Sequence, residues 1–385
     1  MKIAYIMLTN GLEYDDRIRK EMFSMRELLG DVEFKIFGFH GDNHAESGVL
    51  SYGVPYELVS IKNRGGEKGI IDELRKEYDL YSQIKPKVKD YDLLWVCDDQ
   101  PFFFPLFSNK PVIWDLHEIP ASIIGSKFKN LLFHRMERRC KWLIHANQER
   151  VDYLIRSGVL IKPEKNLIIR NFPDQHWLSE GNTLTDKHKR FIEWCGDEEY
   201  IYVQGISGKD RFAWETLSAI MEAHTIKAVV IGNVPSDVKN KLNETYSDAD
   251  NYIYYTGQVV QAETAYYMKH CKFSIVFYNI KTPNNRYCEP NRMFQCLGMG
   301  KPVIVGCNEP MTNIVEKYGN GLALKTEGRN ISEVTDGICK MLHDYDTYRQ
   351  NSEKVKGEFC WEAQKEVFAK CLRNWLQYPK ELFYK

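Results

Sequence analysis

No run of about 18 apolar residues, the length a helix needs to cross a bilayer, occurs in this sequence. The richest apolar stretch, residues 101–114, is broken by Pro101, Pro105, Pro111 and Asn109-Lys110. Charge of one sign is not in excess either: 52 Lys and Arg stand against 53 Asp and Glu, a net charge of −1. That balance argues against a protein that coats nucleic acid, and no nucleic-acid partner is expected. The ten cysteines are scattered and include no Cys-x-x-Cys pair, so they read as reduced and mostly buried rather than as a disulfide scaffold or a zinc site. The Gly-x-Gly-x-x-Gly fingerprint of nicotinamide-binding folds is missing, and so are short-period repeats and low-complexity tracts. The opening MKIAYIMLTN has too short an apolar run for a secretory signal and reads as a strand. Together with the free cysteines it disfavours a bilobed periplasmic receptor, and a cytoplasmic protein is expected.

What is present is enough for two domains with large cores: 385 residues, 43% hydrophobic and 13% aromatic. Short apolar runs alternate with helical periodicity. Strands are expected at residues 2–8, 34–39, 92–96, 111–114, 142–145 and 167–169. Residues 15–29 carry Ile18, Met22, Met25 and Leu29 at the spacing of an amphipathic helix. The pattern lapses over residues 171–189, which are polar and turn-rich, and the domain boundary is expected there. Alternation resumes with strands at 200–203, 227–231, 252–255, 273–277, 301–305 and 321–324 and a helix at 212–223. A long helix at 332–358 and another at 361–376 close the sequence. Such alternation implies parallel sheets covered on both faces, here two doubly wound units enclosing a cleft. Ligands of such sheets bind beyond the carboxyl ends of the strands.

The residues that suggest chemistry lie at those ends. In residues 284–324, Pro290 suits the first turn of a short helix at 291–297, Gly298 and Gly300 end it, and a Lys-Pro-Val strand follows. A helix N-terminus facing the binding site offers unpaired N–H groups and partial positive charge to a diphosphate. Lys209 and Arg211 lie in a post-strand loop, where fixed cations could stabilise a leaving diphosphate, or could be ordinary loop charges. His117 ends an apolar strand beside Asp115 and Glu118, either as a functional group or as a satisfied core histidine. Asn10-Gly11 follows the first strand, where glycine permits close backbone approach or a plain turn. Asp98-Asp99 reads as strand-end polar residues, not a metal pair.

These segments resemble the retaining GT-B glycosyltransferases of the group-1 type (family four). The resemblance rests on Asp15-Asp16-Arg17, Asp115-Leu116-His117-Glu118, Asn171-Phe172-Pro173-Asp174, Tyr202-Val203-Gln204-Gly205 with Arg211 six residues on, Val230-Ile231-Gly232-Asn233, Thr256-Gly257-Gln258-Val259, and Pro290-Asn291-Arg292-Met293-Phe294-Gln295 before Gly300-Lys301-Pro302-Val303-Ile304. Two positions depart from the family pattern: its paired acids fall on Tyr287 and Gln295, and only a local gap would bring Glu289 to the first of them.

The resemblance implies an α/β protein of GT-B fold with two facing Rossmann-like domains. The acceptor-binding domain would span 1–175, the nucleotide-sugar domain 190–360, and a helix over 361–385 would return to the first domain. It implies sugar transfer from a nucleotide diphosphate sugar, taken as a UDP-sugar, to a glycan or lipid-linked acceptor in surface polysaccharide assembly, without metal or cofactor. Donor binding would fall to Gly11, Gly205, Lys209, Arg211, Gly257, Gln258, Val259, Glu289, Pro290, Asn291, Arg292 and Gln295. Acceptor binding would fall to Asp16, Arg17, His117 and Glu118, and catalysis to His117 and Arg211. A nucleotide-sugar 2-epimerase and a non-catalytic partner protein remain the alternatives, and for Gln295 a solvated helix position. The basic, apolar stretch Lys127–Arg139 is expected either to touch an anionic membrane, placing the protein at its inner face, or to be a helix with one core face and one solvated face.

Overall fold

The computed structural model describes residues 1–9, 11–40, 43–61, 70–120, 124–180 and 184–376. The chain divides into two compact units: Met1–Arg170 together with the chain from Gln364, and Asn171–Ala363.

The first unit is built on an eight-stranded sheet. Its strands are β1 (Lys2–Thr9), β2 (Glu33–His40), β3 (Glu46–Val49), β4 (Pro55–Leu58), β5 (Leu93–Cys97), β6 (Val112–Leu116), β7 (Trp142–His145) and β8 (Asn166–Ile168). They lie in the order β3-β4-β2-β1-β5-β6-β7-β8, parallel except where β3 meets β4. β5 and β6, LLWVC and VIWDL, are buried at every residue, as expected of central strands covered on both faces. The helix Asp16–Leu29 starts where the Asp15 carboxylate accepts from Ile18 N–H and stops at Gly30, whose φ of 76° suits glycine. Its buried face carries Ile18, Met22 and Met25 as expected, and also Arg17 and Glu21, one helical turn apart.

The second unit has six strands, all parallel: β9 (Tyr200–Gln204), β10 (Lys227–Ile231), β11 (Ile253–Gly257), β12 (Phe273–Val276), β13 (Val303–Val305) and β14 (Gly321–Ala323), ordered β11-β10-β9-β12-β13-β14. Strand order reverses between β9 and β12, the topological switch point at which ligands of doubly wound sheets bind.

Two expectations need correction. Residues 171–189, read as turn-rich and without periodicity, are not devoid of helix. They contain the helix Gln175–Ser179 and the start of the helix Asp186–Cys195, and Trp177 and Phe191 join the second core. The latter helix is capped by Thr185 with His188, whose Nδ1 accepts from Thr185 N–H at 3.0 Å. Histidine replaces the Glu or Gln of the usual capping box, so the start signal was not recognisable. The helix expected over 332–358 breaks at Asp344 into Ile331–His343 and Tyr345–Val355, followed by a 3-10 turn. Asp344 N–H closes the first helix on Lys340 O, while its own carbonyl accepts from Thr347 and Tyr348. The short strands β3 and β4 and the helix Ile70–Ile84 were not anticipated.

Candidate active site

In the second unit the carboxyl ends of β9, β10, β11 and β12 and the N-terminus of the helix Asn291–Gly298 border a cavity of about 590 Å³. β9 contributes Gln204 and Gly205, β10 is followed by Gly232 and Asn233, and β11 by Gln258 and Val259; Tyr278 follows β12, and Pro290, Asn291, Arg292 and Gln295 line the helix side. Pro290 caps that helix without a side-chain hydrogen bond, and the first intrahelical bond to it comes from Met293 N–H at 2.9 Å. The N–H groups of Asn291 and Arg292 therefore lie in the orphan first turn.

Two guanidinium groups dominate the cavity wall. Arg292 is only 9% exposed. Its Nε has no hydrogen-bond partner, and Nη2 reaches Phe277 O only at 3.5 Å. Arg211 ends a 3-10 turn after β9, and its buried Nη1 also has no partner. Both cations lie over the ring of Tyr278, at 3.2 Å for Arg211 and 4.8 Å for Arg292. Among the described residues no carboxylate pairs with either. Burial pushes both side chains down to about 10, and for Arg211 the charge of Arg292 adds to it. Asp210, next to Arg211, is tied instead to Asn279, whose N–H donates to Asp210 O at 3.0 Å and whose amide binds the carboxylate. Gly205, at φ 65°, leaves room for this arrangement, since a Cβ there would meet Arg292 Nη1 at 2.9 Å. One buried and one half-buried cation, neither paired with a carboxylate among the described residues, suit a multiply charged anion.

Gln295 is 7% exposed and lines the same cavity, so the solvated-helix alternative does not describe it. Gly257, at φ 66°, turns the chain so that Gln258 and Val259 reach the cavity. Tyr202 donates to Gln204 Oε1 at 2.9 Å, leaving the Gln204 amino group for a ligand. Glu289 is half-buried and Tyr287 buried; neither lines the cavity. The side chain of Lys209 lies outside the described residues, as does Asn10. Sequence reasoning missed Tyr278, whose only signal was an aromatic just past a strand, and Gln204, recorded only as part of a motif.

In the first unit a separate polar cluster forms at the ends of β5 and β6. Arg17 is spent inside it: Nη2 and Nε reach the Asp115 carboxylate at 2.8 and 3.2 Å, and Nη1 donates to Ile169 O at 3.0 Å. Glu21 lies 3.1 Å from the same guanidinium and is fully buried. Burial, then the charge of Asp115, push its carboxyl well above the usual range. Burial would raise Asp115 too, but Arg17 and then His117 outweigh it and hold it far below the usual range. His117 Nε2 lies 3.1 Å from Asp115 Oδ2, and Nδ1 3.4 Å from Asp98 Oδ2. Burial alone would lower the imidazole, but those two carboxylates raise it well above its ordinary value. Cys97, Asp115 and His117 come within 4.8 Å of one another, yet Arg17 already holds both oxygens of Asp115, taking the place a metal cation would need. Asp16 is engaged by Arg19 and by Lys20 at 2.7 Å. Glu118 and Gly11 are exposed. Asp98, read from sequence as an ordinary strand-end residue, is the unexpected member of this cluster.

Neither a family model nor a curated protein sequence matches the chain. Solved structures do. It is similar to sucrose-phosphate synthase from Thermosynechococcus elongatus (TM-score 0.74, 14% identity, 98% of this chain and 100% of that one). It is similar to HepE of Anabaena in complex with UDP (TM-score 0.71, 15% identity, 97% and 100%). A third likeness is to α,α-trehalose 6-phosphate synthase from Burkholderia multivorans (TM-score 0.69, 12% identity, 97% and 96%). At such identities the likeness establishes the fold, which is that of the GT-B glycosyltransferases, carried through both units.

Proposed function

We propose that this protein is a glycosyltransferase whose donor is a nucleoside diphosphate sugar. The observation that carries the reading is the pair of half-buried Arg211 and buried Arg292, without a carboxylate partner among the described residues, at the switch-point cavity of the second unit. A diphosphate supplies the missing negative charge, and the unpaired N–H groups at Asn291 and Arg292 suit its oxygens. HepE, a structure of the same fold, has been solved with UDP and with UDP-glucose, which supports UDP-glucose as the first donor to test. Gln295 would hold the ribose by neutral hydrogen bonds, and Gln258 and Val259 the base.

Transfer breaks the bond between the anomeric carbon and the diphosphate oxygen and forms one from the same carbon to the acceptor oxygen. The proton of the acceptor hydroxyl ends on the departing diphosphate. In the retaining course, the nucleophile arrives on the face the diphosphate leaves. The protein's contribution is then position and charge: Arg211 and Arg292 stabilise the negative charge that grows on the diphosphate. The chemistry needs no resident metal if these two cations do that work. The first unit would serve the acceptor, a glycan or lipid-linked sugar of surface polysaccharide assembly, through Asp16, Glu118 and His117. Arg17, spent on Asp115, is a positioning residue.

Calorimetry with UDP, followed by an assay for UDP release from UDP-glucose with and without acceptor sugars, tests the proposal. Micromolar UDP binding that weakens in Arg211→Ala supports it. Conversion of the donor sugar with no acceptor present would point to an epimerase, and absence of any nucleoside diphosphate binding would sink the proposal.

Contact with an anionic membrane is proposed for the helix Lys127–Arg139. Its buried residues are Phe133, Met136 and Glu137, whereas Phe128 and Leu131 are 64% and 63% exposed beside exposed Lys127, Arg135 and Arg138. A merely solvated basic face would not carry two large apolar side chains.

A further inference from the structure

The cluster around His117 is a closed charge circuit, and the backbone at Asp98 shows how it is kept so. Asp98 directly follows β5 with φ 62°, a left-handed conformation rarely taken outside glycine. Three contacts hold it there. Its N–H donates to Asp115 O at 2.7 Å, its carbonyl accepts from the Trp114 indole at 2.7 Å, and its carboxylate accepts from His117 N–H at 3.2 Å. Held this way, the second carboxylate oxygen lies 3.4 Å from His117 Nδ1, while Asp115 takes the other side of the ring at 3.1 Å. The His117 carbonyl is fixed in turn by the Arg150 guanidinium.

We infer that Asp98 is a positioning residue that, with Asp115, holds His117 as a permanent imidazolium, a fixed cation and not a proton acceptor. This rests on the proposed function only in giving His117 a part in transfer; the charge state follows from the circuit itself. Each ring nitrogen faces a carboxylate, an arrangement satisfied only when both carry protons. The two carboxylates differ in surroundings: Asp115 is fully buried beside Arg17, whereas the side chain of Asp98 is 38% exposed and that of His117 23%. Other titratable groups lie near the cluster. Asp15, at the helix N-terminus, is a further carboxylate favouring the cation, while Tyr5 on β1 and Cys97 on β5 are both pushed well up by burial and stay neutral. A strained residue persisting at such a point is typical of functional sites.

Proton-detected nitrogen-15 spectroscopy of the histidine rings in the full chain tests this, with His117 assigned by comparison with His117→Gln. Both ring nitrogens of His117 should stay protonated from pH 5.5 through pH 8.5. The decisive variant is Asp98→Gly, which removes the carboxylate but suits the left-handed backbone, so folding is spared. In it the His117 titration should fall by at least one pH unit, and Asp98→Asn should do the same. A His117 that loses a ring proton near pH 6.5 in the wild type would overturn the inference, as would an unshifted titration in both variants. In the transfer assay, rate should not decline between pH 7.5 and 6 through this residue. The spectroscopic result stands whether or not UDP-glucose proves to be the donor, so failure of the one reading is distinguishable from failure of the other.

Discussion

Replacing Arg292 by methionine should make the empty protein more stable and the liganded one weaker. Methionine keeps most of the apolar stem and removes a charge that the fold leaves uncompensated. Burial lowers the Arg292 guanidinium from its ordinary value to about 10. Its charged form is thus disfavoured in the folded state at every pH below about 10, and the penalty fades only as pH rises through that value. At 1.36 kcal/mol per pH unit, the depression corresponds to roughly 3 kcal/mol at pH 7. Among the described residues, what is lost is the long 3.5 Å contact to Phe277 O and the stacking of the guanidinium over Tyr278 at 4.8 Å. For a unit of about 190 residues that converts to a rise in Tm of roughly 6–12 °C without ligand. The same change removes a charge-assisted contact to diphosphate worth about 1.5–3 kcal/mol, so UDP affinity should fall roughly 10- to 150-fold. UDP should accordingly raise the Tm of the wild type well beyond that of the variant. Scanning calorimetry with and without UDP, together with titration calorimetry, measures both halves. A variant that melts lower when empty, or binds UDP as tightly as the wild type, would refute the idea that Arg292 is a cation held in waiting for an anion.

Gln295→Ala should raise the donor KM about fivefold with kcat nearly unchanged, as expected for a neutral hydrogen bond of about 1 kcal/mol made equally in ground and transition states; loss of kcat at saturating donor would place the residue at the reacting sugar instead. Gly205→Ala should cost about 1–2 kcal/mol from its left-handed backbone and also weaken UDP binding, because the new Cβ crowds Arg292 Nη1. Gly196→Ala, with φ 63° but nothing within 4 Å, should lose stability only, and equal effects on UDP in the two variants would dismiss the steric argument. Paired Phe128→Glu and Leu131→Glu changes should abolish co-sedimentation with anionic vesicles at low salt, binding to which each nearby basic residue adds about 1 kcal/mol; unchanged pelleting would exclude that helix as the contact.

Much of this architecture could be read from periodicity and punctuation. β9, β10 and β12 are short apolar runs, and Pro290, Gly298 and Gly300 bracket the helix that lines the cavity, so the order and strand-end location of the donor-side residues followed from the sequence. What escaped was of another kind. Arg17 and Glu21 face the core with Ile18 and Met22, but a charged residue on an amphipathic helix is ordinarily read as solvated, and only the buried Asp115 partner explains them. Asp98 could not be singled out because its left-handed φ leaves no mark in an Asp-Asp pair. β3, at the sheet edge, and β4 beside it are strands of four residues with little apolar content, below what alternation can register.

The chain leaves the first unit at Arg170 and re-enters it at Gln364, where the Gln364 amide closes both the N–H and the carbonyl of Arg170, at 2.7 and 2.6 Å. Four residues on, Phe368 packs against Trp95 of β5 at 5.9 Å, and Lys365 reaches Glu27 at 2.6 Å. In biosynthesis these residues leave the ribosome after the whole of the second unit. The first unit therefore waits, with the Trp95 face uncovered, until residues 364–368 have been made, while the second unit, contiguous in sequence, can mature by itself. A truncation shortly before Gln364 would spare the arginine pair and injure instead the sheet that begins with β1, an outcome opposite to the one suggested by distance along the sequence.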